Sequence, residues 1–472
     1  MNDLKNNNNI TKIIEGILKA SNIITSTMGG SGKNVLINQA SNIFTKDGVS
    51  VARKIGFQDV EENMGAQLLV NAANQTVKMC GDGTTLTSLL ASRFIEQLFE
   101  EIKTRPVNEV LDECQDYINQ LEEFLLSKTL KLETVNDIFN IAMTSCKNER
   151  LSNLIKNIFI KTGFDARISL EMSEFSRETY VEYTEGLSFE EGYVNSIFAN
   201  RDNDNCVFEN PAILIENDMI NRVEDISSII DEAHQNKIPL VIIAKDFAEN
   251  VVRYAIGNKR AVNLQICLIK LPGWGESVKE NIEDMKAFLT DGSVNRIEVT
   301  PYQFTLFNNP NKTKIKKRVN QLQKKSENAI EEFEVEDYKK RISNLQQKSV
   351  IIYVGGITKI NAKEEFDRIE DAVGAVQSAA HLGYVYGAGS AFLEFAQTIS
   401  IPQYLYNVLI SPAYKIFENA NIDLQPVHLP YNTKTRQLDN NIIDPTMVLI
   451  ESLKNSFALT SLLINTKYVI YE

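Results

Sequence analysis

Apolar residues at Ile10, Ile13, Ile14, Ile17 and Ile24 follow a helical spacing that buries one face, and the cluster Gly29-Gly30-Ser31-Gly32 ends the run. Val35–Ile37 and Ile43–Thr45 read as short strands around polar residues 38–42, a hairpin. Residues 61–73 and 84–103 are helix-like, separated by the turn Gly81-Asp82-Gly83. Between about 168 and 267 the texture changes. Strand-like runs such as Ala212 to Ile215 and Leu240 to Ala244 alternate with amphipathic stretches, which predicts an α/β insertion. Residues 317–348 are highly charged, with apolar positions at Val319, Leu322, Ile330, Phe333, Tyr338, Ile342 and Leu345. The heptads do not continue, so the pattern predicts an exposed antiparallel helix pair packed on the insertion rather than a free coiled-coil arm. Helices return over 361–381 and, after the glycine turn 383–389, over Ser390–Thr398; residues 468–471 are strand-like. No repeat and no Gly-Ser linker interrupts the chain, so outer segments forming one domain around an inserted middle is the expected order.

At 472 residues the chain exceeds what one hydrophobic core supports, which predicts two to four domains. Hydrophobic residues at 43% and charged residues at 24% describe an ordinary globular protein. The net charge of -13 and pI near 5.1 argue against a general nucleic-acid binder, which needs a basic surface to displace counterions. Cys80, Cys114, Cys146, Cys206 and Cys267 are scattered, without a CxxC pair or a histidine at metal spacing, and read as reduced thiols. The Asn-rich start lacks a signal or transit pattern, and no apolar run approaches the roughly 20 residues that span a membrane. A cytoplasmic protein with no membrane partner is the expectation.

Phosphate chemistry needs converging N–H groups, a carboxylate to hold magnesium and another to orient water. Gly81-Asp82-Gly83-Thr84-Thr85 lies directly before a helix, where its N–H groups and the helix dipole can face phosphates; taken alone it is equally an Asp/Gly turn. The Gly29 to Asn34 segment is not a P-loop. Thr27 stands at the first glycine position and Asn34 replaces the magnesium-binding hydroxyl.

Three linked motifs make the pattern specific: Thr45-Lys46-Asp47-Gly48-Val49-Ser50-Val51-Ala52-Arg53, Glu62-Asn63-Met64-Gly65-Ala66-Gln67 and Gly81-Asp82-Gly83-Thr84-Thr85. In order and spacing they resemble the group I, GroEL-type chaperonins. The likeness continues through Glu185-Gly186, Pro272-Gly273-Trp274-Gly275, Arg368-Ile369-Glu370-Asp371-Ala372, Tyr431-Asn432 and Asp444-Pro445-Thr446. It weakens near 293–317 and 396–430, where the chain is shorter than the family, as in a trimmed, phage-borne member.

The resemblance implies a multidomain α/β and α fold. A mostly helical equatorial ATP-binding domain would take 1–128 and 382–472, a small intermediate hinge domain 129–184 and 350–381, and an α/β apical domain 185–349. It implies an ATPase that uses ATP, Mg2+ and K+ to fold non-native polypeptides in a chamber. Asp82 would hold magnesium, with Gly83, Thr84 and Thr85 around the phosphates. Asp371 would activate water with Asp47 beside it. Thr27, Met28, Gly29 and Lys46 would contact phosphates and, through the Thr27 and Lys46 backbone, potassium. Asn432 and Asp444 match base and ribose contacts, and Gly387-Ala388-Gly389 replaces a triple glycine. By its residues alone Asp371 reads as a solvated helix acid.

The resemblance also assigns a client groove to Tyr193, Val194, Ile197 and Phe198 on an extended segment, Ile226, Ile229 and Ile230 on one helix, and Val252, Ala255 and Ile256 on the next. Periodicity alone reads each helix stripe as core. Ser227 and Gly257 make the groove less apolar than in the family, so docking of a co-chaperonin lid there stays open. Gly186 matches a hinge glycine, or is a plain turn glycine. Glu191 and Lys359 carry the inverse of the family's charges, which suggests an inter-subunit pair with exchanged signs. A homo-oligomeric ring, seven-membered and single or double, is implied, closed through the hairpin and residues 469–471. The family's Gly-Met-rich tail is not matched at Glu472. Two other readings remain: a chaperonin-derived ring with little turnover, and an unrelated ATP-using metabolic enzyme. The scattered His234, His381 and His428 disfavour the latter.

Overall fold

The computed structural model describes residues 8–469 except 39–42, 165, 174–175, 202–203, 274, 290–291, 330–331, 347 and 424–429. The hairpin tip, Trp274, Ile330, the Phe333 side chain, His428 and residues 470–471 of the expected last strand lie outside the described residues. Tyr468 and Val469 are described and form no strand.

Two compact units emerge. Met1–Phe164, Leu170–Tyr180 and Tyr353–Glu472 make the first; Asp165–Ser169 and Val181–Ile352 make the second. In the first, helices Asn8–Thr25, Val60–Cys80, Thr84–Glu101 and Thr446–Ile464 pack around Ile17, Ile24, Leu69, Ile95 and Leu463. Small hydroxyls let them close tightly, and some bond from helix to helix: Thr87 Oγ1 donates to Thr76 Oγ1 (2.9 Å) and Ser456 Oγ to the Thr87 carbonyl (2.9 Å). Thr446–Ile464 corrects the expectation about apolar runs, because it is long and apolar enough to cross a membrane. Its Val448, Leu453, Phe457 and Leu459 are buried among neighbouring helices, which accounts for that apolarity.

The second unit holds most of a six-stranded sheet in the order Arg167–Met172, Lys348–Val354, Tyr180–Phe189, Phe304–Asn308, Arg296–Val299, Cys206–Glu209. Beside it, Ala212–Ile220, Leu240–Phe247 and Ile266–Lys270 form a parallel sheet. Such a sheet needs helical crossovers, here Glu224–Asn236 and Glu249–Ala261. The charged stretch folds as the helices Lys312–Asn328 and Glu332–Gln346, which pack on each other and on Glu276–Phe288. Arg318 and Arg341 both pair with buried Asp284, at 2.6 and 3.0 Å. Breaking such a buried pair from one side costs about 3–5 kcal/mol, so these contacts fix the pair's register.

Candidate nucleotide site

Asp82 sits in the turn between Val60–Cys80 and Thr84–Glu101, where Gly81 and Gly83 adopt φ of 72° and 108°. A Cβ on Gly81 would lie 2.5 Å from Gly374 Cα, and one on Gly374 would lie 2.6 Å from Gly81 Cα. The paired glycines therefore admit helix Lys359–Leu382 against this turn. Asp371, one helical turn before Gly374, shares its face and comes close to Asp82. Gly83 N and Ser145 Oγ donate to the Asp82 carboxylate, at 2.6 and 3.1 Å. Asp47 caps the short helix Gly48–Ala52, accepting from Val49 N at 3.1 Å and Ser50 N at 2.5 Å. Ser50 Oγ in turn donates to Asp367 at 2.7 Å.

These groups surround a cavity of about 660 Å3, within the range for a nucleotide-sized ligand. Of the residues expected at the nucleotide, all except Thr84 and Gly387 line it, as do Asp47 and Asp371. Thr84 is buried in the first helical turn and its Oγ1 has no hydrogen-bond partner among the described residues. Gly387 lies behind the wall, where a Cβ would stand 2.8 Å from the Asp444 carboxylate. Asn432 is largely occupied by its own hairpin. Its Oδ1 accepts from Lys434 N and Thr435 N, at 3.1 and 3.3 Å, and its Nδ2 donates to Asp439 at 3.0 Å. One amide hydrogen has no partner among the described residues.

Electrostatically the cavity is strained by carboxylates. Burial pushes Asp371 well above the usual carboxylate range, and the charges of Asp82 and Asp47 push further. Asp82 is raised for the same leading reason, against the Gly83 N–H and Ser145. Burial, with the Asp82 charge, takes Asp444 to about 6. Desolvated like charges of this kind favour a bound cation or a proton-transfer role. No group of three or more His, Cys, Asp or Glu able to hold a metal occurs among the described residues.

Sequence reading missed the opposite wall. Phe139, Ser145 and Lys147 come from or just beyond helix Val135–Cys146, and Pro412 and Ile416 from Gln403–Asn419. None carries a local motif, so nothing in the sequence singled them out.

The client groove needs correction. Phe198, Ile226, Ile230 and Ala255 are core residues, each at most 1% exposed. Ile226 and Ile230 lie four apart on one helix, so the stripe that buries one buries both. Tyr193, Val194, Ile229, Val252 and Ile256 are partly buried and pack on that core, and Ile197 is also partly exposed. Gly186 is neither a turn residue nor at the unit boundary. It lies inside strand Tyr180–Phe189, opposite Phe307, and its missing Cβ admits Ser349 Oγ. Glu191 is half-buried and Lys359 exposed, and neither makes an ion pair among the described residues.

A family model for the TCP-1/cpn60 chaperonin family matches residues 20–420. Chaperonin GroEL of Mycoplasmoides gallisepticum is 29% identical, covering 98% of this chain and 95% of that protein. Chaperonin GroEL of Onion yellows phytoplasma is 28% identical, covering 96% and 94%. Among solved structures, the chaperonin gp146 from the bacteriophage EL 2 (Pseudomonas aeruginosa), crystallised in the presence of ATP-BeFx, aligns with a TM-score of 0.69 at 22% identity over 99% of both chains. Its other crystal form aligns with a TM-score of 0.65 at 21% identity. The alignments run end to end and the fold is GroEL-like: the chain belongs to the TCP-1/cpn60 chaperonin family and is an ATP-hydrolysing chaperone of protein folding.

Proposed function

We propose that ATP is hydrolysed in the cavity of the first unit, with Asp371 orienting and deprotonating the attacking water and Asp82 holding magnesium. The observation that carries this is the approach of Asp371 to Asp82 across the Gly81–Gly374 contact, in a cavity that penalises both charges. A carboxylate whose proton affinity is raised is a better general base near neutral pH. Magnesium characteristically takes one or two protein carboxylates and completes its shell with phosphate and water oxygens, which suits a site holding Asp82 without a protein cage. When bound it would neutralise phosphate charge. The Thr27 and Lys46 carbonyls would hold a potassium ion, Asp47 would stand beside the water, and Asp444 would accept from a ribose hydroxyl.

The chain would divide into an equatorial part, 1–128 with 382–472, an intermediate part, 129–184 with 350–381, and an apical part, 185–349. The apical part would grip non-native chains through the partly exposed Tyr193, Val194, Ile197, Ile229, Val252 and Ile256. Subunits would assemble as a seven-membered ring. The hairpin supports association between copies, though not their number, because Leu36 and Phe44 face each other across it and are 53% and 55% exposed.

Asp371→Ala is the direct test. ATP affinity should stay within about threefold while hydrolysis falls by about 100-fold or more. Hydrolysis at the unmutated rate removes Asp371 from the mechanism.

A further inference from the structure

We propose that Tyr302, at the tip of a hairpin in the second unit, is a further contact for non-native polypeptide and extends the client surface beyond the residues that the resemblance assigns. The inference rests on the reading that the apical part grips such chains, and it adds a residue that no motif contains.

Strands Arg296–Val299 and Phe304–Asn308 pair antiparallel, with Val299 opposite Phe304, and both of those residues are fully buried. Residues 300–303 join the strands. Thr300 closes the turn: its N–H donates to the Gln303 carbonyl at 2.7 Å, and its hydroxyl oxygen accepts from Tyr302 N at 3.3 Å and Gln303 N at 3.0 Å. Pro301 fixes a further backbone angle. Turns of this kind are ordinarily completed by small polar residues. Tyr302 instead carries a large ring that is 78% exposed, and among the described large hydrophobics only Ile357 is more so. Packing does not account for an aromatic side chain left so far in water.

A solitary exposed ring is common on protein surfaces, so its neighbours decide what it means. The turn lies against the extended segment that carries Tyr193, Val194 and Ile197. A Cβ on Gly192 would stand 2.2 Å from the Pro301 carbonyl, so glycine is what lets the two meet. The Tyr193 phenol is within electrostatic reach of the Tyr302 phenol, and its hydroxyl donates to the Asp204 carbonyl at 3.0 Å. The same segment is tied to helix Glu249–Ala261, where Lys259 Nζ donates to the Phe198 carbonyl at 2.9 Å. That helix carries the partly exposed Val252 and Ile256. Helix, segment and turn are thus linked in series, and their partly exposed apolar residues end in Tyr302. Non-native chains differ from folded ones in exposing apolar side chains. Tyr302 offers them apolar area in place of Phe198, Ile226, Ile230 and Ala255, which the core has taken. A tyrosine on a hydrogen-bonded turn also gives up little freedom on binding, which suits a contact that must accept many sequences.

The test measures, by fluorescence anisotropy, how tightly the nucleotide-free full chain binds a dye-labelled, unstructured Gly-Ser peptide bearing several phenylalanines, with thermal unfolding and sedimentation alongside. Tyr302→Ser should weaken binding about fivefold or more, with melting temperature and oligomeric state unchanged. Tyr302→Phe and Tyr302→Trp keep the ring and should stay within about twofold of the unmutated protein. Ile256→Ser reports on the underlying reading. If Ile256→Ser weakens peptide binding and Tyr302→Ser does not, the assignment of Tyr302 is overturned while the apical reading stands. If neither variant weakens it, or the unmutated chain does not bind the peptide, the apical reading falls and this inference with it. A change of oligomeric state in Tyr302→Ser would put the residue between copies of the chain, and that result also overturns the proposal.

Discussion

The nucleotide cavity of the first unit and the apolar stripes of the second answer differently to the same kind of sequence argument. In the cavity, Asp47, Asp82, Asp371 and Asp444 all reach the wall that the motifs suggest. In the stripes, Ile226, Ile230 and Ala255 turn inward and are lost to client binding. The difference is energetic. Burying an aliphatic side chain contributes about 1.5–3 kcal/mol in any fold, so an isoleucine stripe is explained before a ligand is mentioned. A desolvated carboxylate is unfavourable unless something compensates it, so its placement points beyond packing. Unfavourable residues carry functional information that favourable ones do not.

The largest effect should come from setting the two kinds of isoleucine against each other. Ile230 is 1% exposed, and Ile230→Ala should cost about 2–4 kcal/mol in denaturant unfolding. Ile229, its neighbour, packs on the edge of that core and stays partly exposed. Ile229→Ser should cost less than about 1 kcal/mol and instead weaken capture of an unfolded client. Were Ile230→Ala to impair capture with no loss of stability, the distinction between stripe and surface would be wrong.

On the cavity side, Asp444 offers a smaller effect with a definite sign. Its folded-state pKa of about 6 exceeds the ordinary 3.8, so the folded state holds the proton more tightly than the unfolded chain. Stability therefore falls as pH rises from about 4 to about 6, and the full penalty persists above that window. Asp444→Asn removes the penalty. The nucleotide-free protein should gain about 1–3 kcal/mol at pH 7.5, with the gain shrinking as the pH is lowered toward 4, while nucleotide binding weakens. A gain that does not vary with pH would mean that the stabilisation has another source.

Legibility in the sequence follows the same logic. Ser390–Thr398 stands where its periodicity and preceding glycines place it, and the helix predicted over 361–381 is Lys359–Leu382. The helix over 61–73 runs on to Cys80, because Asn and Gln within it obscure the period without breaking it. Gly48–Ala52 is too short for any period. Gln403–Asn419 contains Pro412, an ordinary stop signal, and survives because Ser411 Oγ donates to the Val408 carbonyl that the proline leaves unpaired, at 2.7 Å. Thr446–Ile464 is apolar on nearly every side and so has no amphipathic stripe to read. At the site, the carboxylates are legible through motifs at turns. The wall formed by Phe139, Lys147, Pro412 and Ile416 exists only once distant helices meet.

The smallest effect concerns Glu191 and Lys359, whose contribution belongs to neither packing nor the cavity. Both lack an ion-pair partner among the described residues, while Glu190 beside the first is already engaged with Lys340 at 2.8 Å. A pair between subunits would leave each residue free within its own chain, as observed. Exposed pairs contribute about 0–1 kcal/mol, so Glu191→Lys should leave unfolding almost unchanged. Its effect should appear in the steepness of ATP-dependent hydrolysis, because a contact made in one ring state and broken in another shifts the balance between the states. Adding Lys359→Glu restores opposite charges and should bring the steepness back. Unchanged cooperativity in the single variant, or a double variant no better than the single one, would show that the inverted charges do not meet.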